Sequence, residues 1–382
     1  MYSLHEHGQM ITDRRRMEAY AAALRRAIEP GTTVVDLGTG TGILALLACR
    51  YGAGTVYAIE ASDTIEVARD IARVNGLADR IQFIHGRSTE VTLSGAADVI
   101  VSDLRGVLPL FEHHIPSIAD ARRRFLKPGG TLIPGRDVVW LAVATAPDLY
   151  EPYVTPWAQN DHGFDLGVVR SLVTNGWRKC RARASQLLLE PRPWAMLDFA
   201  TIEHTEVTGD VTWVAPEAGT AHGLVVWFDT ALGPDVSLSN APGAPDAIYG
   251  QAFFPLSDPV ALAAGDTVSV SLTATPVGED YVWSWITRVR ESSPVGRIRA
   301  ECRQSTFFAE PLSRSTLGRR SADHVPVLNE EGRLSLLILN ALDAHVTLGR
   351  IADEVLAKFP ASCPTWEAAL ARVADVSAKY TR

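Results

Sequence analysis

The sequence predicts an α/β, Rossmann-like domain, followed by a β-barrel-like domain and a small helical domain at the end of the chain. Three observations predict it. Helix and strand signals alternate from residue 13 to about 143, which is the pattern of parallel βαβ units. From about residue 145, Pro and Gly punctuate short strand-like runs, the texture of antiparallel sheet. The last fifty residues return to helical spacing.

An amphipathic stretch carrying Met17, Tyr20, Leu24 and Ile28 leads into the β-branched run Thr33, Val34 and Val35, then a glycine-rich turn and a helix over 44–50. Strands are expected at 56–60, 81–85 and 99–102, with a helix over 65–75 between the first two. Residues 122–126 read as a helix stopped by Pro128, Gly129 and Gly130, with 131–134 as the next strand. The first domain is assigned to residues 1–145. Runs at 224–228, 268–272 and 281–287 mark strands of the second domain, over 146–302. Residues 303–330 are polar and aperiodic, and read as a linker. The tail, 331–382, carries apolar stripes at Leu336, Leu339 and Leu342, at Ile351, Val355 and Phe359, and at Trp366, Leu370 and Val373, with Thr347 and Thr365 as N-caps. A winged helix is one form such a unit takes.

The 382 residues are 47% hydrophobic and 21% charged, enough apolar side chain to build cores and exclude a disordered chain. The net charge of -8 lacks the cationic footprint of a nucleic-acid or anionic-membrane binder and suits a cationic or neutral partner. Cys49, Cys180, Cys302 and Cys363 form no CxxC pair, so neither a metal site nor a disulfide framework is expected. They read as reduced thiols of a cytoplasmic protein. The first twenty residues are polar from the start, and no apolar run is long enough to cross a bilayer.

The sharpest motif is Val34-Val35-Asp36-Leu37-Gly38-Thr39-Gly40-Thr41-Gly42, a strand running into an acid and then GxGxG before a helix. Glycine there lets the backbone approach a ligand lying across the strand ends. A nicotinamide dinucleotide fold shares that logic. The GxGxG spacing, Asp36 ahead of it and Glu60 ending the next strand, eighteen residues past Gly42, together favour S-adenosylmethionine. Glu60 is placed to accept hydrogen bonds from both ribose hydroxyls, and Asp36 to meet the methionine ammonium, a charge-assisted contact.

Over residues 1–290 the chain resembles the protein arginine methyltransferases. The likeness runs through His7, Met10-Ile11-Thr12-Asp13, Arg16 and Tyr20, then Asp36 to Gly42 and Glu60, then Ser102-Asp103-Leu104-Arg105-Gly106 to Phe111-Glu112, and Leu132-Ile133-Pro134. Trp157, Gly163-Phe164-Asp165 and His222 to Trp227-Phe228 extend it into the β domain. The resemblance implies a leading helix that closes over the cofactor, with His7 and Met10 lining it and Arg16 gripping the methionine carboxylate. It also implies an acidic contact to adenine near Thr89 and Glu90, a catalytic pair of carboxylates at Asp103 and Glu112 that orients the acceptor, and a homodimer formed through an arm near 150–180.

Three departures bear on the acceptor pocket. Asp103 is one methylene shorter than the family's glutamate, a withdrawal of ~1.5 Å. Arg105 replaces an apolar residue, and a cation there is able to pair with Asp103 or Glu112. Ala247-Ile248-Tyr249 replaces the family's Thr-His-Trp, which puts Tyr249 in the pocket. His113 and His114 are further candidates for a general base, and Trp227, Trp283 and Trp285 for either a cleft or the core. Three readings stand open: methyl transfer to a nitrogen of a peptide or protein, arginine among them; transfer to a small metabolite; and a non-catalytic cofactor-binding scaffold.

Overall fold

The computed structural model describes residues 2–159, 162–293 and 296–381. They fall into two compact units, Met1–Pro311 and Leu312–Arg382.

The first unit opens with two helices, α1 (Leu4–Thr12) and α2 (Arg14–Ala27). Ser3 and Glu6 close a capping box at the start of α1, and the Asp13 carboxylate caps α2 by accepting from the Arg16 amide. Asp13 also accepts from the Ile248 amide at 2.7 Å, which ties the leading helices to the β domain. There follow β1 (Thr33–Leu37), α3 (Ile43–Arg50), β2 (Thr55–Glu60), α4 (Thr64–Val74), β3 (Ile81–His85), β4 (Ala97–Ser102), α5 (His114–Phe125) and β5 (Leu126–Ile133). The five strands form a parallel sheet in the order β3-β2-β1-β4-β5. Val34, Val35, Val56, Ala58, Val99 and Val101 are fully or almost fully buried, as expected of strands covered on both faces. The order reverses between β1 and β4, and the crevice outside their carboxyl ends is where ligands bind in such sheets.

The next strand, β6 (Arg136–Ala144), leaves this sheet. Sequence reading placed it in the first domain, up to residue 145, but it pairs antiparallel with β10 (Gly219–Gly233) and β8 (Arg192–Asp198). An apolar run announces a strand without saying which sheet it joins. Before β8 come α6 (Pro147–Ala158), α7 (Arg170–Thr174) and β7 (Arg178–Cys180). α7 and most of α6 lie within the segment expected to form the arm, and Phe164 and Val168 are exposed there.

The remaining strands are β9 (Val207–Val214), β11 (Val236–Ser239), β12 (Gln251–Leu262), β13 (Thr267–Val277), β14 (Asp280–Arg290) and β15 (Ile298–Ser305). They complete two antiparallel sheets, β7-β12-β10-β6-β8 with β11 against β10, and β15-β14-β13-β9. Burial alternates with period two along β13 and β14. Their inner residues share one core with Leu224, Val226 and Phe254 of the other sheet. Trp283 and Trp285 pack edge-on against Phe254 at 5.5 and 5.1 Å between ring centroids, and Trp227 is buried as well. All three tryptophans are core residues.

Residues 303–305 extend β15 rather than starting a linker, and α8 (Arg314–Arg319) lies within the segment read as aperiodic. In the second unit α9 (Glu330–Asp343), α10 (Leu348–Lys358) and α11 (Trp366–Tyr380) close around Leu334, Ile338, Ile351, Val355, Ala369 and Val373. Leu336 and Trp366, expected on the core faces, are exposed. The run Leu334-Ser335-Leu336-Leu337-Ile338-Leu339 is apolar nearly all round, so its spacing does not select a face. Thr365 caps α11 by accepting from the Ala368 amide; Thr347 precedes α10 without a side-chain cap. The described residues of this unit hold helices and no strand, whereas a winged helix adds a β wing. Among the described residues no helix is long and apolar enough to cross a membrane.

Candidate active site

The turn after β1 is built for close approach. Gly38, Gly40 and Gly42 all lie at positive φ, 71°, 54° and 86°, where a side chain is strained. A Cβ on Gly38 would run into the Leu104 side chain, and one on Gly40 would come within 2.6 Å of the His7 ring. The turn is braced from two strands. Asp36 is buried, and its Oδ2 accepts from the Thr39 hydroxyl at 2.6 Å and the Ala45 amide at 2.9 Å. Burial pushes its carboxyl up to about 6, against those two hydrogen bonds. Asp36, expected as a contact for a ligand ammonium, lies beneath the glycine turn, and its Oδ2 braces the loop. Glu60, at the end of β2, accepts from the Gly40 amide at 2.9 Å through Oε2, and from the Ser62 amide and hydroxyl at 3.0 and 2.8 Å through Oε1. α1 brings His7 against the same turn, where burial lowers the affinity of its imidazole for a proton.

A glycine cradle at the switch point, an acid at the neighbouring strand end and a helix across the top fit a nucleoside-bearing ligand such as S-adenosylmethionine. Thr89 and Glu90 lie exposed on the turn after β3.

Beside the cradle, Asp103 follows β4 and is the centre of a buried polar cluster. Its Oδ2 accepts from Arg16 Nε and the Tyr249 hydroxyl, each at 2.6 Å. Its Oδ1 accepts from Arg105 Nε and Nη2, each at 3.2 Å. Burial alone would raise the Asp103 carboxyl, but Arg16, Arg105 and Tyr249 hold it down to about 2. Arg105 is completely enclosed: Nη1 donates to Asp137 at 3.1 Å, Nη2 also donates to the Tyr20 hydroxyl, and the guanidinium lies 5.0 Å from the Phe228 ring centroid. Of the two acids expected as its partners, it takes Asp103, while Glu112 makes no contact with it. Arg16, expected to grip a ligand carboxylate, is here bound to Asp103 and to the carbonyl oxygen of Met10 at 3.2 Å.

The structure does not bring Glu112 into this cluster. It is exposed, in the left-handed region at φ 42°, and its amide donates to Asp280 at 3.3 Å. No side chain among the described residues is hydrogen-bonded to its carboxylate. The Tyr2 hydroxyl is pushed up to about 12, first by burial and then by the charges of Asp103 and Glu112. Nothing in the sequence singled out Tyr2. Asp137 was also missed, although a signal existed, because it is in phase with the buried Val139 and Leu141 along β6.

The two histidines separate. His113 is partly exposed and contacts Glu279 at 2.7 Å. His114 is buried, with Nδ1 2.6 Å from the Pro109 carbonyl and Nε2 without a partner among the described residues, so Nδ1 donates and the ring is neutral. Burial lowers its pKa to about 4, which removes it from the candidates for an exposed base. The unfolded imidazole takes up a proton below about 6.5 and the folded one only near 4, so folding loses stability as pH falls across that window, on the order of 3 kcal/mol in all. Urea denaturation at pH 7 and pH 4 should show this loss in the wild type and not in His114→Asn, which retains a donor for Pro109. Equal pH dependence in the two proteins would remove His114 as its source.

Residues 19–135 match the family model described as ribosomal protein L11 methyltransferase (PrmA), and 138–282 the one described as the arginine methyltransferase oligomerization subdomain. The arginine N(omega)-methyltransferase of Streptomyces achromogenes subsp. streptozoticus is 30% identical over 273 residues, covering 70% of this chain and 75% of that protein. The protein arginine N-methyltransferase PRMT10 of Oryza sativa subsp. japonica is 31% identical over 317 residues, covering 73% and 82%. The probable protein arginine N-methyltransferase 6 of Arabidopsis thaliana is 32% identical over 236 residues, 58% of this chain, and the match spans only about half, 53%, of that relative. Among solved structures, the Trypanosoma brucei PRMT1 enzyme-prozyme heterotetrameric complex with AdoHcy superposes with a TM-score of 0.72 at 24% identity, covering 80% of this chain and 98% of that one. Arabidopsis thaliana protein arginine methyltransferase 10 gives 0.70 at 24% identity, with the same coverage. These two likenesses speak for the fold.

Proposed function

The chain belongs to the protein arginine methyltransferase family, and from that premise we propose that it transfers a methyl group from S-adenosylmethionine to a nitrogen of a peptide or protein. The observation that carries this reading is the hydrogen bond from the Gly40 amide to Glu60, which joins the glycine cradle to the acid ending the next strand. When bound, S-adenosylmethionine supplies a methyl group on a sulfonium, open to in-line attack.

The chain's own residues do the rest. Gly38 and Gly40 admit the ligand against the backbone, Glu60 presents the carboxylate for a ribose, and His7 with the rest of α1 covers the cradle and limits water. Arg16, ion-paired to Asp103, is the cation this reading assigns to a ligand carboxylate. Glu112, outside the buried cluster, is the acid free to orient an incoming nitrogen at near-attack distance. Glu112→Gln should therefore leave cofactor affinity intact and slow transfer roughly 10- to 100-fold; full activity in a single-turnover assay removes Glu112 from the reaction.

The chain works as a homodimer in the cytoplasm on this reading. Exposed Phe164 and Val168 on the arm segment, and the match of residues 138–282 to an oligomerization subdomain, support the dimer. The net charge of -8 favours a peptide, protein or small-molecule acceptor over nucleic acid. The test is transfer of labelled methyl from S-adenosylmethionine to peptide pools and to metabolite extracts. Label in the peptides supports the proposal, label only in metabolites moves the acceptor to a small molecule, and cofactor binding without any transfer reduces the chain to a scaffold.

A further inference from the structure

Glu112 stands at a backbone position that favours glycine. The Phe111 carbonyl accepts from the His114 amide at 3.1 Å, closing a turn in which Glu112 is the first central residue, at φ 42°. With no side chain among the described residues hydrogen-bonded to it, the Glu112 carboxylate takes its place from the backbone of its own loop. A distant element secures that backbone. The two-residue turn Gly278-Glu279 joins β13 to β14, and such short hairpin turns fix the direction of the side chains around them. Asp280 Oδ1 accepts from the Glu112 amide at 3.3 Å. Glu279 Oε2 lies 2.7 Å from His113 Nε2 and 3.7 Å from Arg87 Nη2. Arg87 follows Gly86, whose amide donates to the Glu60 carbonyl at 2.8 Å. One hairpin of the β domain therefore touches both the loop after β4 and, one residue from a partner of Glu60, the turn after β3.

We propose that Asp280 and Glu279 are positioning residues: the hairpin latches the loop after β4 and sets where the Glu112 carboxylate stands relative to the acceptor nitrogen. The inference rests on the reading of Glu112 as the acid that orients that nitrogen, and adds what holds it there. Both hairpin acids are exposed, and exposed contacts of this kind contribute little to folding. Their effect falls on geometry, where a misplacement of about 1 Å costs a rate on the order of 100-fold. Asp280 acts through an oxygen that accepts from an amide, so Asn in its place keeps the contact and removes the charge. An effect of the Asp280 charge on a cationic acceptor would be lost in both Asp280→Asn and Asp280→Ala, and a latch only in the second.

Single-turnover transfer of labelled methyl from S-adenosylmethionine to an arginine-bearing peptide tests the latch in wild type, Asp280→Ala, Asp280→Asn, Glu279→Ala, Glu112→Gln and Glu112→Gln/Asp280→Ala. Calorimetry with the cofactor and melting curves accompany each protein. Asp280→Ala should slow transfer on the order of tenfold with Tm within about 2 °C of the wild type. Asp280→Asn should regain most of that rate, and Glu279→Ala should show a smaller loss of the same kind. In the Glu112→Gln background, Asp280→Ala should cost less than about twofold more, because both changes remove one function. Hydrogen exchange of residues 110–114 should be roughly threefold or more faster in Asp280→Ala than in the wild type or Asp280→Asn, and it decides the latch even with a peptide that takes no label. Equal exchange in the three proteins overturns the inference, as does an Asn variant as slow as Ala or a loss that multiplies with that of Glu112→Gln. A Glu112→Gln protein as fast as the wild type overturns the reading of Glu112 beneath it, and a wild type that binds no cofactor in the calorimeter overturns the methyltransferase reading; each is a separate outcome.

Discussion

Glu60→Ala should lower the affinity for S-adenosylmethionine by about 100-fold or more, to below what calorimetry detects. Two losses combine. Hydrogen bonds to a charged group contribute about 1.5–3 kcal/mol each, and the proposed ribose contacts go with the carboxylate. The Gly40 amide and Ser62 also lose the acceptor that fixes the cradle against β2, so the loop no longer arrives preorganised. Glu60→Gln separates the two effects, because its carbonyl oxygen still accepts from Gly40; affinity should fall less than in Glu60→Ala. An unchanged affinity in Glu60→Ala would place the nucleoside elsewhere.

Asp137→Ala should destabilise the first unit by about 3–5 kcal/mol, the scale measured when one member of a buried ion pair is removed. Arg105 is fully enclosed and keeps only Asp103 as a charged partner, so the variant leaves a poorly compensated guanidinium in the interior. For a unit of this size the loss corresponds to a fall in Tm on the order of 10 °C. Adding Arg105→Met should restore part of it, since the uncompensated guanidinium is gone while Asp103 Oδ1 loses its two donors. Melting curves of the three variants form a double-mutant cycle; a shift below about 2 °C in Asp137→Ala would mean that the Arg105–Asp137 contact contributes little.

Much of the site was legible because its parts are local. Asp36 to Gly42 and Glu60 announce themselves by spacing, since a βα turn and the end of the next strand lie within one βαβ unit. Arg105 was legible as a departure from the family resemblance, a cation where that resemblance implies an apolar residue. Its partner was not. Asp137 lies 32 residues away, on the first strand of a different sheet, and appears in sequence as an ordinary acid before an apolar run. His114 shows the same limit: adjacent to an exposed residue and identical in type to His113, it is buried only because α5 turns it toward Pro109 and Phe199.

By itself the sequence determined the parallel αβ architecture, the β-rich domain after it, the helical tail and the cradle for a nucleotide-like ligand, because hydrophobic period and glycine conformation are properties of neighbouring residues. Only the tertiary structure decided that β6 belongs to the second sheet, that Leu336 faces outward, and that Asp103 is saturated by Arg16, Arg105 and Tyr249 instead of standing open beside Glu112. Those outcomes depend on which charges and surfaces meet across elements distant in the chain. The free energy of a buried charge is set by the partners that packing brings to it, and periodicity carries no record of them.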